Sequence, residues 1–297
     1  MKEKICSLCV AVMLLTACGN EKKEYDATGT FEATEVTVSA EQNGKLLQLD
    51  ITEGDRLSAG HQVGLIDTVQ LYLKAKQIGA TKMVYATQKP DVQKQIAATR
   101  QQLAKAQEDE ARYAALVKEG AANSKMVDDA RSQVKVLKRQ LEAQQSTLNN
   151  SSQSLNSQMS ATEIQRYEVM DQLQKCHIQA PISGEVLEKY SEEGEFATVG
   201  RPLFKMADTQ QMFLRAYVTS AQLKSVKVGQ KVSVYADYGN GERKNYEGRV
   251  TWISNHSEFT PKTILTDDER ADLVYAVKIA VQNDGYIKIG MYGEVKF

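Results

Sequence analysis

Histidine, proline, tryptophan and cysteine are all scarce in this chain of 297 residues, and each scarcity excludes something. The 3 histidines, His61, His177 and His256, lie far apart and show no metal-ligand spacing. With 4 prolines and 1 tryptophan, little stands in the way of long helices. Neither charge dominates, since 37 Lys and Arg face 38 Asp and Glu, so no net field draws in a nucleic acid. No nucleophile motif and no phosphate-cradling glycine loop is present, which argues against an enzyme and leaves no catalytic residue, metal or cofactor to nominate. Apolar runs are also missing beyond the first residues, and none of them is long enough to span a bilayer.

That first run has its own logic. Lys2 and Lys4 precede an apolar stretch from Ile5 to Leu15, the pattern of a signal peptide. It ends Leu15-Thr16-Ala17-Cys18-Gly19, which resembles the lipobox of bacterial lipoproteins. The resemblance implies cleavage before Cys18 and acylation of its thiol, an anchor of several acyl chains that holds to a leaflet almost permanently. Cys6 and Cys9 then leave with the signal. Cys176 stays as a single thiol, so no internal disulfide is expected and a buried structural role is.

What is present in quantity is repetition. Gly44, Gly54 and Gly60 recur as Gly184, Gly194 and Gly200 in two β-rich segments that carry the same turn spacing. Each segment is about thirty residues long, too small to close a core alone, so the two must pack on each other. Gly44 and Gly184 suit close approach of another strand, and Gly54 and Gly194 suit turns of positive φ.

Between the halves the composition turns to Ala, Gln, Lys, Glu and Leu. Leu71, Ile78, Tyr85, Val92, Thr99, Ala106 and Tyr113 recur every seventh residue, as do Val127, Val134, Leu141, Leu148, Leu155, Thr162, Val169 and Cys176. Two antiparallel coiled-coil arms are expected, turning at 120–124, where Gly120 ends one helix and Asn123 or Ser124 caps the next. Pro90 should interrupt the first arm near Lys89. The partner stripe of the second arm reads Gln144, Ser151, Gln158, Gln165 and Gln172, so a polar, loosely sealed seam is expected. After residue 209, alternating runs with turn glycines predict a small antiparallel barrel, with 221–229 as a short helix and turn at one end.

Two glycine-spaced halves around a helical insertion resemble the split biotinyl/lipoyl-like domain of HlyD-type membrane fusion proteins. A true carrier domain would place a modifiable Lys on the hairpin between its halves, whereas here Asp67 runs straight into helix. The tip is similar to that of adaptors that dock a TolC-like outer-membrane channel: Arg112 and Leu116 match their pattern, while its Ser falls on Asn123, with Ser124 one place late. The stretch from Glu258 to Val274 resembles a segment of adaptors serving ABC-2-type exporters, and the absence of a further domain before Phe297 points the same way.

The resemblance implies an α+β multidomain fold: signal peptide 1–17, anchored linker 18–30, split lipoyl-like domain 31–67 and 177–208, coiled-coil hairpin 68–176, and β-barrel 209–297. It further implies a periplasmic adaptor of a tripartite efflux or secretion pump in a Gram-negative envelope, lipid-anchored at the inner membrane and assembled as a homo-oligomer, expected to be a hexamer. Its partners would be an inner-membrane ABC-type permease and a TolC-like outer-membrane channel. An RND-type pump is the alternative transporter, and a purely structural envelope tether the alternative function.

Overall fold

The computed structural model describes residues 25–239, 242–259 and 273–297. Strands β1 (Ala27–Ser39), β2 (Gly44–Leu49), β3 (Arg56–Leu57) and β4 (Gln62–Ile66) precede helices α1 (Val69–Gln88), α2 (Val92–Lys118) and α3 (Ser124–Lys175). Strands β5 (His177–Gln179), β6 (Gly184–Lys189), β7 (Phe196–Ala197) and β8 (Pro202–Thr219) follow. Then come a 3-10 turn at Gln222–Ser225 and β9 (Lys231–Gly239), β10 (Glu242–Phe259), β11 (Leu273–Gln282) and β12 (Tyr292–Lys296).

The 140-residue repeat is a real symmetry of hydrogen bonding. Gly54 N donates to Val186 O while Gly194 N donates to Leu46 O, both at 2.8 Å; Gly60 N reaches Ala180 O as Gly200 N reaches Ala40 O, again at 2.8 Å. Each half thus supplies the bonds its copy lacks. The result is a sandwich of two layers, β5-β4-β2-β7 facing β3, β6 and the adjoining stretches of β8 and β1. Leu46, Ile66, Val186, Leu203, Phe204 and Met206 fill the space between.

The second unit is a barrel. Strand order β1-β12-β9-β10-β11-β8, with β8 pairing back to β1, closes six strands and leaves no open edge among them. Strict alternation makes its core, as in β8 where Met212, Leu214, Ala216 and Val218 point inward and are fully buried. Phe31, Val234, Ile279 and Val295 complete it.

Here the structure corrects the expected boundaries. Residues 27–30, read as linker, are strand: Ala27–Thr30 pair with Val295–Tyr292 of β12, and Thr28–Glu32 with β8. Thr28-Gly29-Thr30 carries no apolar residue that would mark it as a strand. Yet a Cβ on Gly29 would lie 1.9 Å from the carbonyl oxygen of Arg215, so the glycine serves strand contact. The barrel therefore does not start at residue 209 but also uses 27–33, and the boundary at 208–209 falls inside β8. Both β1 and β8 run through sandwich and barrel. At the crossing the register slips between Glu32 and Thr34, and the Asp208 carboxylate accepts from the amides of Gln210 and Gln211.

Candidate docking tip and the hairpin that carries it

Helix α3, with 52 residues, extends about 78 Å at 1.5 Å per residue. Against it lie α1 and α2, separated by Lys89-Pro90-Asp91. Lys89 is extended at ψ 121°, as a residue preceding proline should be, and the Asp91 carboxylate caps α2 by accepting from the amide of Lys94.

Every seventh-residue position named in the sequence lies at least partly covered, with Thr99, Ala106, Thr162, Val169 and Cys176 buried. The partner stripe needs correction. Ser151, Gln158 and Gln165 are exposed, Gln172 stays half covered, and Ser152, Met159, Arg166 and Leu173 are covered beside them. The stripe slips by one residue after Gln144, on the stretch of α3 where its partner passes from α2 to α1. The seam nearer the sandwich is thus less glutamine-rich than the heptad count implied, and an ion pair enters it: Lys82 meets Glu163 at 2.8 Å, with Arg166 on the same carboxylate. These cations hold the Glu163 carboxyl at about 2. Nearer the tip Thr99 donates to the Gln144 side chain, whose amide donates to Gln95 O at 3.1 Å.

The tip closes by a two-bond glycine cap. Gly120 has φ +73°, Ala121 N donates to Leu116 O at 2.9 Å, and Gly120 N donates to Val117 O at 3.0 Å. Asn123 begins α3, its side-chain oxygen accepting from Lys125 N at 3.0 Å, and Ser124 is already the first helical residue. Arg112 projects from the turn before Leu116; it pairs with Asp109, lies over the ring of Tyr113, and keeps 63% of its side chain exposed. Leu116 is half buried. Between the arms beside them runs a shallow groove of about 300 Å³, walled by Ala106, Asp109 and Tyr113 on one side and Met126, Asp129 and Ala130 on the other. Arg131 braces the arms through Glu110 at 3.3 Å. The tip is a capped turn presenting a cation and a partly covered apolar side chain, suited to surface contact.

The six glycines fall into two kinds. Gly54, Gly60, Gly194 and Gly200 have φ between +78° and +93°. Gly44 and Gly184 sit in strands where an added Cβ would meet Ile66 Cγ2 at 2.7 Å or Ala207 O at 2.1 Å. Cys176 caps α3, is fully buried, and directs its thiol at Gln172 O; burial pushes that thiol up. Cys18 lies outside the described residues, as does 260–272, most of the segment likened to ABC-2-type adaptors. Among the described residues no cluster suited to a metal occurs, and no helix is long and apolar enough to cross a membrane.

This sandwich, split by a hairpin and joined to a barrel, matches the family model of the RND membrane fusion protein barrel-sandwich hybrid domain over residues 34–209. The chain belongs to that family. It is a membrane fusion protein, an adaptor of efflux pumps that works with an inner-membrane transporter and an outer-membrane channel. A UPF0194 membrane protein of Acidithiobacillus ferridurans is 25% identical over 95% of this chain and 89% of its own length. The UPF0194 membrane protein YbhG of Salmonella gallinarum is 35% identical over 42% of this chain and 38% of its own. Among solved structures, MacA from Actinobacillus actinomycetemcomitans aligns with a TM-score of 0.56 at 20% identity, covering 91% of this chain and 76% of that one, a likeness of fold.

Proposed function

We propose that this adaptor links an inner-membrane ABC-type permease to a TolC-like outer-membrane channel as a ring of six copies. An acyl anchor on Cys18 holds it to the periplasmic face of the inner membrane. The observation that carries the reading is the hairpin itself: a rod of about 78 Å, inserted between the halves of a sandwich, ends in a capped turn that displays Arg112 and Leu116. Such a rod spans distance. Gly120, Asn123 and Ser124 shape the turn, and Arg112 and Leu116 make the contact. The six sandwich glycines permit the turns and close strand contacts from which the base is built. Support for the ABC-type partner comes from the likeness of Glu258 to Val274 to adaptors of ABC-2-type exporters.

An RND-type partner is the second reading, favoured by the name of the family model. Purifying the tagged chain from its native envelope separates the two, because each predicts a different co-purifying transporter. The tip is tested by Arg112→Ala and Leu116→Asp, with export measured beside circular dichroism. Leu116→Asp puts an unpaired charge into a desolvated contact and should abolish export, at a cost of a few kcal/mol in docking. Because the Leu116 side chain is half buried and its replacement also removes packing at the tip, Arg112→Ala is the cleaner variant. Normal export by the folded Arg112→Ala protein would remove Arg112 from the docking contact.

A further inference from the structure

At the barrel mouth facing the sandwich, three tyrosines surround one ammonium. Lys244 pairs across β9 and β10 with Ala236, and Tyr246 with Val234, so both side chains share the barrel's inward face with those buried residues. Tyr238, two residues beyond Ala236, takes the same side. The loop after β11 brings Asp284 and Tyr286 across the opening. Lys244 Nζ then lies 5.8, 5.6 and 5.7 Å from the ring centres of Tyr238, Tyr246 and Tyr286, and pairs with the Asp284 carboxylate. Aromatic faces about a cation, closed by a carboxylate, are the chemistry that recognises organic ammonium groups.

The walls do not depend on the lysine. Tyr246 Oη donates to Asp284 Oδ1 at 3.0 Å, and the amide of Tyr286 donates to the same oxygen at 3.1 Å. Tyr286 Oη donates to Asp237 O at 3.3 Å, and its ring stacks on Tyr238 with centres 4.5 Å apart. Asn283 ties the loop to the β8 crossing by donating to Thr209 O at 2.9 Å. The occupant is held more loosely: the Lys244 and Asp284 side chains are 38% and 45% exposed, so water competes for their pairing. Asp284 also lines a neighbouring cleft of about 480 Å³ between sandwich and barrel. Mouths of barrels are habitual places for ligand sites.

We propose that Tyr238, Tyr246, Tyr286 and Asp284 form a binding site for a primary or quaternary ammonium, which the chain closes with its own Lys244. An incoming ammonium takes the place of Nζ among the rings, and the lysine swings to solvent on its flexible stem. The site is separate from the hairpin tip and independent of which transporter the adaptor serves.

The test uses the full chain and its Lys244→Met variant. Each is titrated with tetramethylammonium chloride against sodium chloride at equal ionic strength, with the tyrosine ring signals followed by NMR. Lys244→Met should bind at least tenfold more tightly than the unaltered chain, and adding Tyr286→Leu or Asp284→Asn should remove that gain. Glycerophosphocholine is titrated in parallel: equal affinity identifies a lipid headgroup as the source, and weaker affinity a free cation. If Lys244→Met fails to fold, the unaltered chain decides, since saturating tetramethylammonium must shift the Tyr238, Tyr246 and Tyr286 signals and leave the other tyrosines unmoved. A folded Lys244→Met protein that binds no more tightly than the unaltered chain overturns the site. So does binding that survives loss of Tyr286 and Asp284 together, or an unaltered chain whose three tyrosines do not respond.

Discussion

Gly184→Ala should be the most damaging of the six glycine substitutions in the sandwich, and the reason is geometric. The new methyl would stand 2.1 Å from the carbonyl oxygen of Ala207 and 2.7 Å from its carbon, where 3.4 Å or more is ordinary contact. Both are backbone atoms of β8, so no side chain can turn aside. Relief requires β6 and β8 to separate by about 1 Å beside the Glu185–Ala207 pair. With two ladder bonds weakened at about 1 kcal/mol each, and overpacking strain added, the loss comes to about 3 kcal/mol. The symmetry mate Gly44 meets only Ile66 Cγ2, at 2.7 Å, so Gly44→Ala costs about 1.5 kcal/mol through a displaced side chain. Gly54→Ala has open space but keeps a φ of +93°, for about 1 to 2 kcal/mol. At 2 to 4 °C per kcal/mol, thermal melts should place Gly184→Ala about 6 to 12 °C below the unaltered chain and the other two nearer to it. A Gly184→Ala protein that melts with Gly44→Ala, or above it, would refute the argument from backbone contact.

Three further outcomes are expected. Cys18→Ser should release the protein from membranes, and mass spectrometry that finds Cys18 unmodified in the native envelope would exclude the anchor. Cys176 should resist a maleimide in the native protein and react only on unfolding, because burial both shields its thiol and pushes its ionisation up; rapid native labelling would contradict this. The Glu163 carboxyl is held at about 2, below its ordinary 4.5, by Arg166 and Lys82. Its contribution to hairpin stability is therefore complete above about pH 4.5 and lost as pH falls toward 2. Helix melts followed from pH 5 to 2 should show that loss, and Glu163→Gln should flatten that part of the profile.

The features legible in the sequence were those set by local chemistry. A positive φ selects glycine, proline breaks a helix where it stands, and a seven-residue apolar period needs no knowledge of the partner; hence the repeat, the break at Pro90 and the turn at Gly120 could all be read. What could not be read was set by contacts remote in sequence. Thr28-Gly29-Thr30 becomes strand because β8 and β12 are there to receive it, and Gly29 is needed only once Arg215 lies against it. The cage at the barrel mouth draws Tyr238, Lys244 and Tyr246 from one hairpin and Asp284 and Tyr286 from a loop some forty residues on, a meeting with no sequence motif.

The slipped partner stripe shows how the two kinds of information interact. A strict heptad count carries Gln144 forward to Ser151, Gln158, Gln165 and Gln172, which assumes that one uninterrupted helix lies opposite. The first arm is instead two helices, and the Lys89-Pro90-Asp91 break lets α1 meet α3 in a register of its own. Thr162, Val169 and Cys176 stay buried across the change, while the second stripe moves by one residue to Ser152, Met159, Arg166 and Leu173. That move turns Ser151, Gln158 and Gln165 outward and covers Arg166, one turn along α3 from Glu163, whose carboxylate Lys82 meets from α1. A single proline on one arm thus decides which face of the other arm is sealed and which is left to water or a neighbouring subunit.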